Sequence, residues 1–303
     1  LFFLWGILKG ETEPNPIPKR RFPPWIIGLL FCVMLAVVFV SSFFFPYPPQ
    51  NLEVFFLDVG QGDCIVVVFP GGDGLLIDGG GSYYSHFAVG RHIVLPFLIQ
   101  KKIRVKWVAV SHFHPDHGNG IAEILPIIKP QELWISEESP GSGTYRNVMA
   151  AVPSGTKIKH IAAPYQKNVG NCRIEFLFPR EFIRSSRSRN NHSQVIRVSD
   201  GHHSFLFTGD IEREVEGRLV GSSCSRLGST VLKVPHHGSR SSSGLSFLKC
   251  VSPDLAVFSY GRNNRFRFPH RRVTDNYLSL EIPTLSTGRS GGIRIVSTRA
   301  GLK

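Results

Sequence analysis

The sequence predicts an α+β fold: two β-sheets face to face, helices over both outer faces, and a transmembrane helix ahead of them. Three features point there. No charged residue occurs between Arg21 and Glu53. From Asn51 onward short apolar runs of strand length alternate with Gly and Asp turns. Helix-length segments fall between those runs, and strands mixed with helices on this scale suggest two covered sheets. The 303 residues suffice for one large domain or two modest ones.

The core of the uncharged run is Trp25 to Phe45, WIIGLLFCVMLAVVFVSSFFF. At about 1.5 Å per residue that helix is about 31 Å long, the thickness of a bilayer core. Trp25 and Tyr47 sit where interfacial aromatics belong. Pro46, Pro48 and Pro49 end the helix and open a stiff linker over residues 46–51. A cleaved signal peptide fits less well, because the run is long for one and no A-x-A site follows. A buried core helix is disfavoured by the same length. Residues 1–24 read as the end of an upstream membrane segment (LFFLWGIL) followed by a basic loop. Lys9 and Lys19-Arg20-Arg21 place that loop in the cytoplasm by the positive-inside tendency, and everything after Pro49 on the far side. Since the chain starts at Leu1, a longer membrane protein is expected.

The remaining elements follow in order. Leu52 to Val59 and Cys64 to Phe69 are strands around Gly60-Gln61-Gly62-Asp63, a hairpin signal. Leu75 to Asp78 is a strand ending in three glycines. Val89 to Gln100 reads as a helix despite Pro96, Lys106 to Ser111 as a strand, Gly118 to Ile128 as a helix and Leu133 to Ser136 as a short strand. Residues 137–170 are irregular. Strands are expected near 173–178, 194–199, 204–208, 231–234, 255–259, 284 and 293–296, and helices near 211–219, 245–251 and 273–280. The five cysteines form no CxxC motif, and their apolar neighbours suggest buried free thiols.

The sharpest chemical signal is Ser111-His112-Phe113-His114-Pro115-Asp116-His117, between an apolar strand and a helix. Three imidazoles and a carboxylate lie within six residues. Such a loop presents His112 and His114 to one metal ion and turns Asp116 and His117 toward a second; imidazole with carboxylate suits zinc, manganese or iron. A surface histidine cluster is the alternative, and the place of the motif at a strand end argues against it. Thr208-Gly209-Asp210 ends another apolar strand and offers Asp210 as a bridging carboxylate. Val234-Pro235-His236-His237-Gly238-Ser239 ends a third and supplies more imidazole. Each of these two is weak alone; one sheet edge gathering all three makes a dinuclear centre.

The order LIDGGG, HFHPDH, TGD, HHGS resembles the metallo-β-lactamase fold superfamily, whose αββα sandwich is then the expected domain over residues 52–303. The resemblance implies that His112 and His114 bind one ion and Asp116 and His117 the other. It implies that Asp210 bridges, and that one of His236 and His237 completes the second site. His237 is the preferred ligand, leaving His236 for substrate. Asp78 orients the histidine loop, as metal ligands need such partners. Leu57-Asp58-Val59-Gly60-Gln61-Gly62-Asp63, Asn191-His192-Ser193, Leu232 to Ser239 and Ser259 to Asn264 with His270 narrow the resemblance to the ComEC family of DNA-internalisation competence proteins. One departure stands out. Many superfamily members place a metal-binding histidine where this chain has Asn191-His192-Ser193. Either the first ion has fewer protein ligands, which favours manganese by hardness, or His192 substitutes.

What the resemblance implies is a metal-dependent DNA phosphodiesterase of DNA uptake, integral to a bacterial cytoplasmic membrane, with its hydrolase domain outside the cytoplasm. Its cofactors are two divalent ions, zinc or manganese, acting as Lewis acids on a phosphate and an attacking water, with Asp116 or His236 assisting proton transfer. Its partners are DNA, the membrane and an upstream channel region of the same family; no nucleotide cofactor is expected. The net charge of +13 suits an anionic partner. Residues 51–303 carry 31 Lys+Arg and 20 Asp+Glu, so most of the excess lies there. Arg184-Ser185-Ser186-Arg187-Ser188-Arg189 and the stretch with Arg262, Arg265, Arg267, Arg271 and Arg272 are candidate phosphate contacts, and Phe266 and Phe268 candidate stacking surfaces. A merely solvated charge run is the competing reading. Two other functions remain: hydrolysis of a small or cell-wall-linked ester, and a non-catalytic DNA-binding module.

Overall fold

The computed structural model describes residues 23–44, 49–82, 87–136, 140–179 and 188–303. The chain divides into two compact units, Leu1–Tyr47 and Pro48–Lys303. In the first, α1 (Pro24–Phe44) is a helix of 21 residues without an acidic or basic side chain. Trp25, Leu30 and Phe39 on it are exposed. Among the described residues no helix is long and apolar enough to cross a membrane. A helix thus forms where one was expected, at Pro24–Phe44, but its passage through a bilayer is not supported. Lys9, Lys19-Arg20-Arg21, Pro46, Tyr47 and Pro48 lie outside the described residues.

The second unit is built on two sheets. Along the first, the order is β15 (Gly301–Leu302), β14 (Ile293–Thr298), β1 (Leu52–Phe56), β2 (Ile65–Val68), β3 (Asp73–Ile77), β4 (Arg104–Val110), β5 (Glu132–Ile135) and β6 (Lys157–His160). Along the second it is β13 (Thr284–Ser286), β12 (Leu255–Phe258), β11 (Val231–Lys233), β10 (Ser204–Phe207), β9 (Val195–Ser199), β8 (Cys172–Phe178) and β7 (Tyr165–Val169). Side chains alternate between faces with the strand period of two. Val54, Phe56, Trp107, Phe205 and Phe207 meet between the sheets, whereas Phe55, Val108 and Leu206 point outward. Both faces are buried, which is why the strands read as nearly unbroken apolar runs.

Helices cover the outer faces. Leu98 of α2 (Leu95–Gln100), Ile121 and Leu125 of α3 (Pro115–Ile128) and Val148 of α4 (Gly143–Ala150) pack on the first sheet. Val215 and Leu219 of α5 (Arg213–Leu227), Leu248 of α6 (Leu245–Val251) and Val273 of α7 (Arg271–Ser279) pack on the second. A short turn, α8 (Thr287–Ser290), follows β13. The result is the expected αββα sandwich.

Departures from the sequence reading have local causes. The single helix expected over Val89–Gln100 is a π-helical stretch, Gly90–Val94, continued by α2, and the change of winding falls just ahead of Pro96, whose missing N–H interrupts the regular ladder. Helix α3 begins inside the histidine motif, at Pro115. The segment read as irregular holds α4, β6 and β7. The last two are the outer strands of their sheets, and their lysines and half-exposed faces hide the apolar pattern, as suits an edge. The cysteine expectation needs correction: Cys64 and Cys172 are buried free thiols, but Cys32 is exposed, and Cys224 and Cys250 form a disulfide. Packing of α5 against α6 brings those two to a Cα separation of 5.3 Å across 26 residues of sequence, a proximity no local spacing reveals.

Closing a loop of that length restricts the unfolded chain by about 3 kcal/mol. Replacing Cys224 and Cys250 together by serine is expected to lower the unfolding midpoint in urea, and reductant should lower it for the native chain but leave the double variant unmoved.

Candidate metal centre

Strands β3 and β4 are parallel neighbours in one sheet, and β10, β11 and β12 in the other. Parallel strands end on the same side, so the loops leaving them meet at one edge of the sandwich. Those loops begin at Asp78, Ser111, Thr208, Val234 and Ser259. The LIDGGG, HFHPDH, TGD and HHGS motifs therefore converge.

Asp78 organises the histidine loop. Its Oδ1 accepts the Ser111 N–H at 2.7 Å, and its Oδ2 accepts the Ser111 hydroxyl at 2.7 Å and faces His117 Nδ1 at 2.8 Å. His117 Nε2 is thereby turned to Asp210 Oδ2, 3.2 Å away. His112 Nε2 and His114 Nδ1 approach to 2.9 Å, while His112 Nδ1 faces the hydroxyls of Ser111 and Ser193. Pro115 starts α3, which places Asp116 and His117 in its first turn. Gly62, at φ +136, lets the Gly60–Asp63 loop lie against this turn; a Cβ there would stand 2.2 Å from the Asp116 carbonyl oxygen.

The two histidines of the HHGS segment diverge. Both have positive φ, +48 for His236 and +55 for His237, an uncommon and costly backbone for a side chain of this size. His237 is buried, with Nδ1 at 2.9 Å from the Ser259 carbonyl and Nε2 at 3.3 Å from Asp210 Oδ2 and 3.6 Å from Asp116 Oδ2. His236 is half-buried; its Nδ1 faces Glu212 Oε1 at 3.5 Å and its Nε2 lies 3.8 Å from Asp210. Glu212 is held down to about 2, chiefly by His236, against the opposing effect of burial.

Donor atoms of His112, His117 and Asp210 lie within 4.8 Å of one another, as do those of Asp116, His117 and His237. His117 Nε2, His237 Nε2 and Oδ1 of both Asp116 and Asp210 are buried without a hydrogen-bond partner. Four buried carboxylates, Asp63, Asp78, Asp116 and Asp210, surround them. Burial opposes protonation of His117 and His237, yet these carboxylates hold both well above the usual histidine range. His112 is pushed well below it, by burial first and by His117 next. A dense set of nitrogen and oxygen donors that calls for positive charge fits divalent cations.

The Asn191-His192-Ser193 segment has two readings, fewer protein ligands for the first ion or His192 as a substitute ligand, with its residues expected around the centre. Ser193, not His192, reaches the centre: its hydroxyl accepts the Asp210 N–H at 3.0 Å and touches His112. Asn191 fixes the start of α5 by accepting the Glu212 N–H at 2.9 Å. His192 offers its carbonyl to Ser136 and joins none of the donor groups among the described residues.

Two residues were missed. Asp63 ends the LDVGQGD segment and Lys233 ends β11; both are buried and they form an ion pair. Asp63 stands behind the imidazoles, 3.4 Å from His237 Nδ1 and 4.0 Å from His117 Nδ1. Burial opposes its ionisation, but Lys233 and His237 keep it below the usual carboxylate range. A lysine inside the apolar run Val231 to Val234 was the available signal, since buried lysines need partners.

Arg262, Arg265 and Arg267 are exposed on the loop between β12 and α7. Asn264 knits that loop through Gly261 and Phe268, and the His270 N–H to the Gly238 carbonyl docks it on the HHGS turn. Arg271 and Arg272 are exposed in the first turn of α7, and Arg272 lines a separate cleft with Arg213. Arg184 and Arg187 lie outside the described residues.

Comparison with known proteins agrees with this geometry. The chain is 29% identical over 92% of its length to ComE operon protein 3 of Bacillus subtilis, and 30% identical over 92% to competence protein ComA of Neisseria gonorrhoeae, both ComEC-family competence proteins. It spans just over a third of those relatives, 37% and 36%. The metallo-β-lactamase fold protein YhfI of Bacillus subtilis superposes with a TM-score of 0.52 at 15% identity, covering 82% of this chain and 100% of that one. The family model described as the metallo-beta-lactamase superfamily matches residues 57–262. That span opens just ahead of Asp63 and ends beyond the HHGS turn, so it takes in the whole centre, and the chain belongs to the metallo-β-lactamase superfamily.

Proposed function

We propose that this chain is a dinuclear metal-dependent DNA phosphodiesterase of DNA uptake, anchored to a bacterial membrane by its segment 25–45, with residues 51–303 outside the cytoplasm. The observation that carries the enzymatic part is the set of buried, unpartnered imidazole and carboxylate atoms aimed at one another. Support for DNA comes from the arginine loop docked on the HHGS turn, the positive charge of the domain, and similarity to competence proteins. The apolar helix α1 supports anchoring, and a disulfide suits an oxidising compartment.

In this reading His112 and His114 would hold one ion, Asp116, His117 and His237 the other, and Asp210 would be a ligand of the same centre. Zinc or manganese bound there supplies Lewis acidity to the phosphate and acidifies the attacking water. The chain's own residues do the rest. Asp78 and the Ser259 carbonyl fix the two imidazoles from behind, so that each Nε2 faces inward. His236, braced by Glu212, stands beside the ligands, where its Nε2 can pass a proton to the leaving oxygen. The arginines hold the phosphate backbone.

Elemental analysis of the purified chain should find two divalent ions after reconstitution with zinc or manganese. Asp210→Ala should lose both, and His112→Ala mainly one. A wild-type chain that stays metal-free refutes the centre.

Asp63 and Lys233 position His117 and His237 from behind. Removing either partner of a buried ion pair costs about 3–5 kcal/mol, because the other charge stays buried. Asp63→Asn and Lys233→Met should each lower stability in urea on that scale and weaken metal retention against a chelator. The double variant should be less impaired than the two effects added together; strict additivity means the pair is not coupled.

Neutralising Arg262, Arg265 and Arg267 together should raise KM for DNA. It should also flatten the salt dependence by about 0.7–0.9 in log–log slope per lost phosphate contact. An unchanged slope makes the loop a solvated surface and favours a small ester substrate.

A further inference from the structure

Next to the metal centre lies a cleft of about 270 Å³ that the ligand geometry does not use. Val59, Val89, Phe87 and Phe266 line it, with Gln61 and Asp116. Asp116 belongs to the donor cluster, so the cleft reaches the place where a scissile phosphate would sit. Its surface is mostly apolar and aromatic. Phe266 stacks on Phe268, with ring centroids 5.3 Å apart and planes 16° apart. Phe268 stacks in turn on His237, at 6.2 Å and 29°. The ladder of rings runs from an exposed phenyl face to a buried imidazole of the centre. Phe87 leaves half of its surface open as well. Gln61 takes the Gly261 N–H on Oε1, while its Nε2, like Oδ1 of Asp116, is buried without a hydrogen-bond partner.

The ligand that matches is flat, aromatic and equipped with a hydrogen-bond acceptor on its edge, and it is tethered to a phosphate. We propose that this cleft receives a single unpaired nucleobase of the nucleotide flanking the bond to be cut; the proposal rests on the DNA phosphodiesterase reading. Every nucleobase has a π-face for Phe266 and an edge acceptor for the Gln61 amide, so the cleft tolerates all four bases. In a duplex both faces of a base are covered by its stacked neighbours, so a paired base offers no face to Phe266. The nucleotide therefore enters from a single strand or a frayed end, and seating its base fixes the adjacent phosphate against the metal ligands.

The test uses the complete chain and oligonucleotides in which methylphosphonate linkages leave one cleavable bond. The nucleotide on one or the other side of that bond is made abasic. Base stacking is worth about tenfold or more in binding. Wild type should lose about that factor in kcat/KM on one of the two abasic substrates. Phe266→Ala should lose it on the intact substrate and lose no more on the abasic one. Gln61→Ala should show a smaller loss of the same pattern. Phe266 is partly exposed, so truncation leaves the core intact, and a thermal melt checks this. A second readout avoids catalysis: with metal chelated, 2-aminopurine at that position should be quenched on binding to wild type and not to Phe266→Ala. If wild type cleaves intact and abasic substrates alike, the cleft holds no base, although the phosphodiesterase reading stands. If no DNA is cleaved with either metal, that reading fails and the cleft assignment with it.

Discussion

The burial of four carboxylates at one sheet edge constrains everything around them. Asp63, Asp78, Asp116 and Asp210 are shielded from water, and a buried charge without a partner costs far more than a domain's net stability allows. The fold answers each of them separately. Asp78 spends its oxygens on Ser111 and His117, and Asp63 has Lys233. Asp116 and Asp210 are left with imidazole nitrogens and with one oxygen apiece that no hydrogen bond reaches. The electrostatic demand is thus met from behind by protein groups and left open in front, and cations in front would relieve it.

Much of this was legible in the sequence because the centre is assembled from strand ends. Parallel neighbours bring successive loops together, so Asp78, the HxHxDH run, Asp210 and the HHGS turn could be grouped before any coordinates. What stayed hidden depends on contacts across the sandwich. Asp63 looked like part of a hairpin turn, and Lys233 fell inside an expected strand without a role; only the packing of one sheet on the other pairs them. The disulfide is hidden for another reason: it joins α5 and α6, neighbours on one outer face, across 26 residues of sequence. Strands β6 and β7 were missed because edge strands need little apolar patterning.

The Asn191-His192-Ser193 segment, where a ligand histidine was one expectation, works from outside the donor groups among the described residues. Ser193 contacts His112 and the Asp210 backbone, and Asn191 pins the residue that opens α5. This loop braces two proposed ligands instead of donating one. Fewer imidazoles around the first ion would leave that side of the centre more open, a geometry that suits exchangeable, oxygen-preferring metals better than a closed zinc cage.

The loop from Ser259 to His270 joins the remaining pieces. Its first carbonyl fixes His237 Nδ1, and its last residue docks on the HHGS turn. Between those anchors it carries Arg262, Arg265, Arg267, Phe266 and Phe268. A loop tied at one end to His237 and at the other to Gly238, the residue after it, cannot shift far without disturbing that proposed ligand. Phosphate contacts, a stacking face and the orientation of His237 would then move as one body, so substrate engagement by the arginines would be sensed at the imidazole. That coupling needs no conformational switch; it follows from the anchors being the same backbone that presents the side chains.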